Sequence, residues 1–179
     1  LSRLLLNRLG PSARTAVITN TRLGPRDLLT SVCREFEIAI SPDATITDIT
    51  AALEHFLLEQ YSRNRLAVVI LDEAQNLPLE SFEELRLLGN LEADDAKLLQ
   101  VLILGQPELQ QTFRAAAMKQ LEQRMFRSFH LTAMSRDVTA GYINHRLRVA
   151  GLDEKREVFS SAAIDAVYTH SVGQYIKKT

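Results

Sequence analysis

Five consecutive apolar residues, Ala67 to Leu71, run directly into two adjacent carboxylates within the stretch Leu66 to Asn76, LAVVILDEAQN. The run is too short to cross a membrane and too rich in β-branched residues for a helix, so it reads as a strand buried on both faces. Such strands belong to parallel sheets covered by helices, and in an open parallel sheet ligands bind beyond the carboxyl ends of the strands. Asp72 and Glu73 are therefore placed for metal and water chemistry. The competing reading is local: Asp72 caps the following segment, Ala74 to Leu77. The stretch alone leaves both open.

The flanking sequence supplies the rest of an α/β unit. Leu1, Leu4, Leu5 and Leu9 recur at helical spacing before a stop at Gly10-Pro11. No cap or acidic first turn precedes them, so the segment reads as the later turns of a helix and the chain as truncated. Thr15 to Thr19 is a short β-rich run ending in Asn20, followed by an amphipathic helix over Arg26 to Glu37 with Leu28, Leu29, Val32 and Phe36 on one side. Thr47 to Ser62 places Ile49, Ala52, Leu53, Phe56, Leu57 and Tyr61 at spacings of three and four, a second helix. Ser81 to Leu88 is a third, stopped by Gly89-Asn90, and Leu98 to Leu104 is another buried strand, ending at Gly105-Gln106-Pro107. This alternation predicts a parallel sheet with right-handed crossovers.

Beyond Pro107 the pattern is mainly helical: Glu108 to Phe113, Ala115 to Phe126, Ser135 to Ala150 with a serine cap and Gly151 at its stop, and Ser161 to His170. Phe129 to Leu131 reads as a minimal strand. A small helical appendage on an α/β core is the expected organisation.

Composition narrows the functions. With 21 basic and 22 acidic residues among 179, the chain is close to neutral, which predicts neither a general nucleic-acid binder nor a polybasic membrane surface. The single cysteine, Cys33, allows no internal disulfide and reads as a buried structural thiol. The four histidines, His55, His130, His145 and His170, lack ligand-like spacing and there is no cysteine pair, which argues against zinc. No apolar run is long enough for a membrane span.

The order of features resembles the AAA+ ATPases: a strand ending in Asn20, one ending in Asp72-Glu73, one ending in Gly105-Gln106, then Gln123-Arg124 ahead of a short strand and a helical tail. More narrowly, LDEAQN, EELRLLGNLE (Glu83 to Glu92), LILGQPEL (Leu102 to Leu109), LEQRMFRSFHL (Leu121 to Leu131) and YINHRLRVAG (Tyr142 to Gly151) resemble the secretion-associated ATPases of the general secretion pathway protein A type and the related pilus-biogenesis proteins. The resemblance runs from Leu1 to about Gly173. It implies a P-loop NTPase-like parallel sheet sandwiched by helices, with an AAA+ core over residues 1–133 and the start of a helical lid over 134–179.

The resemblance also implies roles. Asp72 matches the Walker B aspartate that holds Mg²⁺ through its water shell, and Glu73 the acid that polarises the water attacking ATP. Asn20 matches the polar residue that restrains that glutamate, against a plain turn asparagine. Gln106 matches a sensor of the γ-phosphate, against a residue that opens the Pro107 turn. Arg124 matches the arginine finger that reaches a neighbouring subunit's nucleotide; Arg127 competes for that role, and a structural surface arginine is the alternative for both. ATP and Mg²⁺ are thus the implied cofactors. The implied setting is a homo-oligomer or a paired AAA+ subunit, cytoplasmic at the inner face of the cytoplasmic membrane, with secretion or pilus assembly proteins as partners.

Two departures qualify the match. No glycine-rich loop ending in Gly-Lys-Ser/Thr occurs in these residues; by the resemblance it precedes Leu1, together with the first strand, which leaves a gap or a rearranged pairing between the last two strands. The lid's Pro-Arg sensor is replaced by Tyr175-Ile176-Lys177-Lys178-Thr179 after Gly173-Gln174. The expectation is that the intact protein hydrolyses ATP and that this stretch by itself does not bind it tightly. Two alternatives stay open. One is a DNA-handling transposition helper, for which Arg146, Arg148, Lys155 and Arg156 would form a basic patch, against the favoured reading of these residues as a solvated lid face. The other is a nucleotide-independent interaction module.

Overall fold

The computed structural model describes residues 8–10, 12–94, 96–114, 129–153, 156 and 158–171. It forms two compact units, Leu1–Phe126 and Arg127–Thr179.

The first unit is built on three parallel strands: β1 (Ala13–Ile18), β2 (Leu66–Leu71) and β5 (Leu99–Ile103), in the order β1-β2-β5. Helices α1 (Pro25–Glu35) and α2 (Ile46–Ser62) connect β1 to β2. After β2 come a single 3₁₀ turn (Ala74–Asn76), α3 (Leu79–Leu88) and a two-stranded antiparallel ribbon, β3 (Glu92–Ala93) with β4 (Ala96–Lys97). Helix α4 (Glu108–Arg114) follows β5.

Burial explains why β2 is central. Ala67, Val68, Val69, Ile70 and Leu71 are all buried, on both faces of an alternating strand. Ala67, Val69 and Leu71 join Ala16 and Ile18 of β1 and Leu99 of β5 in one core with Leu28, Leu29 and Val32 of α1, Ile49, Leu53 and Leu57 of α2, and Phe82, Leu85 and Leu88 of α3. Each fully buried leucine, isoleucine or phenylalanine contributes about 1.5–3 kcal/mol of transfer free energy. Phe36 stacks on Phe56 with centroids 4.9 Å apart, and Phe82 meets Phe113 edge-on at 5.3 Å, joining α1 to α2 and α3 to α4.

Element ends follow local chemistry. Thr45 and Asp48 form a reciprocal capping box at the start of α2. Helix α1 stops at Glu35, two residues short of the apolar pattern's limit, because Glu37 adopts a left-handed backbone with φ 63°. The β3–β4 ribbon is too short to show a period in sequence.

The second unit contains α5 (Arg136–Val149) and α6 (Ser161–Ser171). Ser135 caps α5 by accepting from the Val138 N–H at 3.3 Å, and Gly151, with φ 95°, follows its end. Arg136 Nε donates to Asp165 Oδ1 at 2.7 Å and Arg136 Nη2 to Ser161 Oγ at 2.6 Å, joining the two helices. Arg146 and Arg148 are exposed in the last turn of α5, where cations complement the helix dipole. Among the described residues, no helix is long and apolar enough to cross a membrane.

One expectation is corrected. Phe129 to Leu131 is irregular rather than a strand, with Phe129 82% and Leu131 66% exposed. Three residues have no stable extended form without a ladder partner, and the ladders among the described residues are β1–β2, β2–β5 and β3–β4. The helix expected over Ala115 to Phe126 lies outside the described residues, as does most of that over Leu1 to Leu9.

Candidate functional site

The parallel register brings three strand ends level. Ile18 pairs with Leu71, and Leu71 with Ile103. The ladders continue one step beyond: the Asp72 N–H donates to Ile18 O at 2.9 Å, and the Leu104 N–H donates to Leu71 O at 2.8 Å. Asn20-Thr21, Asp72-Glu73 and Gly105-Gln106 therefore sit side by side at the carboxyl edge of the sheet, where this class of fold binds ligands.

Glu73 turns the chain. Its backbone is left-handed, φ 56° and ψ 40°, a conformation that costs a non-glycine residue about 1–2 kcal/mol. The surroundings hold it there. The Ala74 N–H donates to Leu104 O at 2.9 Å, while the Glu73 carbonyl accepts from Thr21 Oγ1 at 2.7 Å and from Asn76 Nδ2 at 3.3 Å. Thr21 is only 2% exposed, and its loop is fastened again where Ser81 Oγ donates to Leu23 O at 2.8 Å. Strained backbone maintained by surrounding contacts recurs at functional sites.

The Glu73 carboxylate is held as well. Gln75 Nε2 donates to Glu73 Oε2 at 2.7 Å, and Gln106 Nε2 donates to the same oxygen at 3.2 Å. Gln75 Oε1 in turn accepts from the Gln106 backbone N–H at 3.1 Å. Gly105 makes this close approach feasible: a Cβ there would lie 2.7 Å from Leu109 Cδ2 and 3.1 Å from Gln75 Oε1.

Among the residues expected at the site, Asp72, Glu73 and Gln106 converge. Asp72 is half-buried, and its Oδ1 accepts from the Glu73 N–H at 3.1 Å, so it does shape the turn locally. Asn20 stands at the same edge, with Oδ1 accepting from the Arg22 N–H at 3.3 Å in its own loop. Arg124 and its competitor Arg127 lie outside the described residues. Gly105, legible in sequence as a strand end, completes the arrangement together with Thr21 and Gln75, which the sequence does not mark. A threonine beside Asn20 and a glutamine two residues after Glu73 carry no pattern that separates them from turn residues.

Asp72 and Glu73 are hard oxygen donors, and among the described residues no group of three or more metal-ligating side chains forms. That donor set fits Mg²⁺, which takes one or two carboxylates and completes its octahedron with water and substrate phosphates. Away from this edge, the Arg86 guanidinium holds the Glu83 carboxyl below its ordinary value, and Asp165 raises Arg136.

Comparison with known proteins shows the family and the fold. A family model described as "AAA domain" matches residues 1–113. General secretion pathway protein A of Aeromonas hydrophila is 38% identical over 172 residues, covering 96% of this chain and 31% of that protein, so the chain spans about a third of its relative's length. Among solved structures, the Cdc6p of Pyrobaculum aerophilum superposes with a TM-score of 0.66 at 19% identity, over 93% of this chain and 42% of that one. The ORC2 protein of Aeropyrum pernix, in its ADPNP-ADP complexes, gives 0.62 at 18%, over 89% and 41%. These two likenesses establish the fold, a P-loop NTPase-like α/β sheet flanked by helices. The chain belongs to the AAA domain family.

Proposed function

We propose that the full-length protein hydrolyses ATP as an oligomer or as one of a pair of AAA+ subunits, and energises or regulates assembly of a secretion or pilus machine at the inner face of the bacterial cytoplasmic membrane. The observation that carries the catalytic half is the convergence of Asp72, Glu73 and Gln106 at the carboxyl edge of a parallel sheet, with the Glu73 carboxylate held by two amide donors. The cellular role rests on the 38% identity to general secretion pathway protein A. The ADPNP-ADP complexes of the ORC2 protein support a nucleotide as ligand.

Each residue then has a task. Asp72 positions the metal's water shell, and Glu73 accepts the hydrogen bond of the attacking water and orients it in line with the γ-phosphate. Gln106 reads that phosphate through its amide. Asn20, at the same edge, restrains Glu73 until a partner engages. Arg124 reaches the neighbouring subunit's nucleotide and offsets charge in the transition state. Mg²⁺, when bound with the nucleotide, neutralises charge on the phosphate oxygens.

Replacing Glu73 by Gln in the full-length protein tests the assignment: ATP turnover is lost while ATP binding persists. Retained turnover removes Glu73 from its role. Substitution of Arg124 lowers turnover in assembled oligomers only, and an equal loss in dilute monomer identifies a structural arginine instead. Salt-sensitive duplex DNA binding stimulated by ATP would transfer the protein to DNA handling.

A further inference from the structure

The Gln75 carboxamide bridges two groups of opposite demand. Its oxygen can only accept and its nitrogen only donate. Oε1 takes the backbone N–H of Gln106, and Nε2 gives to Glu73 Oε2, so the two partners fix the amide's orientation. Gln75 is half-buried, and the chain on which it sits is locked to the β5 turn: the Ala74 N–H bonds to Leu104 O at 2.9 Å, and a Cβ on Gly105 would lie 3.4 Å from the Gln75 backbone nitrogen. A displacement of the Gly105-Gln106 turn must therefore move the Gln75 amide. The Gln75 amide, in turn, carries the shorter of the two hydrogen bonds from Gln75 and Gln106 to Glu73, 2.7 Å against 3.2 Å from the Gln106 side chain.

We propose that Gln75 is a positioning residue that couples the γ-phosphate-reading turn to the water-polarising carboxylate, an inference that rests on the ATPase reading above. When the Gln106 side chain leaves Glu73 Oε2 for a phosphate oxygen, Gln75 remains as the backbone-anchored donor that keeps the carboxylate aimed at the water. Gln106 senses and Gln75 transmits. The coupling takes its polarity from the amide: a side chain of the same length without a donor leaves Glu73 to rotate, and one with an acceptor in place of the donor turns it away.

The test uses the full-length protein with ATP and Mg²⁺, measuring kcat and KM for Gln75→Met and Gln75→Glu. Gln75→Met lowers kcat about tenfold, and Gln75→Glu, which sets a second carboxylate against Glu73, lowers it about a hundredfold, with KM within about threefold of wild type in both. A merely structural Gln75 predicts instead that kcat falls in each variant only in proportion to its loss of unfolding free energy, with KM moving alongside it. Wild-type kcat in Gln75→Glu, or a KM that rises as kcat falls, overturns the proposal. Should either variant fail to fold, Gly105→Ala serves instead: its methyl lies 2.7 Å from Leu109 Cδ2 and 3.1 Å from Gln75 Oε1, so it displaces both while every hydrogen-bonding group survives, and an unchanged kcat there overturns the proposal equally. Parallel assay of Glu73→Gln separates the two claims. If that variant retains turnover, the ATPase assignment of Glu73 has failed; if it is inactive while the Gln75 variants are normal, only the coupling has.

Discussion

Thr21 Oγ1 donates to the carbonyl oxygen of Glu73 at 2.7 Å, so the loop after β1 is fastened to the acidic turn after β2 across a parallel ladder. The hydroxyl is buried and the bond is short, whereas the other side-chain donor to that carbonyl, Asn76 Nδ2, sits at 3.3 Å. Thr21→Val keeps the shape and removes the donor. It should lower unfolding free energy by about 1 kcal/mol, the usual net worth of such a bond. Thr21→Ser, which retains the hydroxyl, should recover most of the loss in urea unfolding. Equal midpoints for threonine and valine would show that the bond contributes nothing.

Glu73 holds a left-handed backbone where asparagine is better tolerated and a β-branched residue is worse. Glu73→Asn should unfold at a denaturant concentration equal to or above that of wild type, although it removes the carboxylate from the site. Glu73→Val should be less stable than Glu73→Asn by about 1–2 kcal/mol. Comparing the two variants isolates backbone strain, since both lose the hydrogen bonds from Gln75 and Gln106. Identical stabilities would mean that the turn relaxes on substitution and stores no strain.

These two residues mark the boundary of what the sequence makes legible. The apolar run before Asp72, the periodicity of α1 and α2 and the order of strand ends all reflect burial, which leaves a mark on every second or third residue. The acids fall at a strand terminus, as the run predicts. Glu73's left-handed turn does not show, because the residue type is one that rarely adopts it, and the same holds for Glu37 at the end of α1. Gln75 is invisible for another reason: its role depends on β5 arriving alongside, 31 residues later in the chain, and an isolated glutamine carries no period. The ribbon β3–β4 is only two residues a side, and Phe129 to Leu131 looks β-rich yet joins no ladder among the described residues.

The start of α2 should make stability depend on pH. Thr45 Oγ1 donates to Asp48 Oδ2 at 2.7 Å and the Thr45 N–H to the same oxygen at 2.8 Å; the hydroxyl first, and then the backbone N–H, hold the Asp48 carboxyl below its ordinary value of 3.8. A depressed carboxyl means that the unfolded chain binds the proton more readily. The contribution is therefore complete above pH 3.8 and disappears as pH falls through the lower folded value. Wild type should exceed Asp48→Asn in thermal midpoint at pH 7, and the gap should shrink as pH falls below 3.8 and close once it passes the lower folded value. A gap of constant size across that range would assign the difference to helix propensity rather than to the charged cap.

Cys33 tests the integrity of the core that carries the site. It is 1% exposed among the buried side chains of α1, and burial pushes its thiol up from 9.0 to about 11. The thiolate is the reactive form, so two independent barriers, access and ionisation, protect the native residue. Folded protein at pH 8 should show no reaction with a thiol reagent on a timescale at which the urea-unfolded chain reacts completely. The sign of the linkage runs opposite to that of Asp48: the native state holds this proton more tightly, so the thiol's contribution is intact below pH 9.0 and is lost as pH rises towards about 11. Cys33→Ala leaves a small cavity and should cost about 1 kcal/mol, whereas Cys33→Ser adds a hydroxyl to an apolar site and should cost about 1–3 kcal/mol more. Rapid labelling of folded protein at pH 8, or a serine variant as stable as alanine, would mean that α1 does not stay packed on the sheet and that the strand edge bearing Asp72 and Glu73 rests on a looser support.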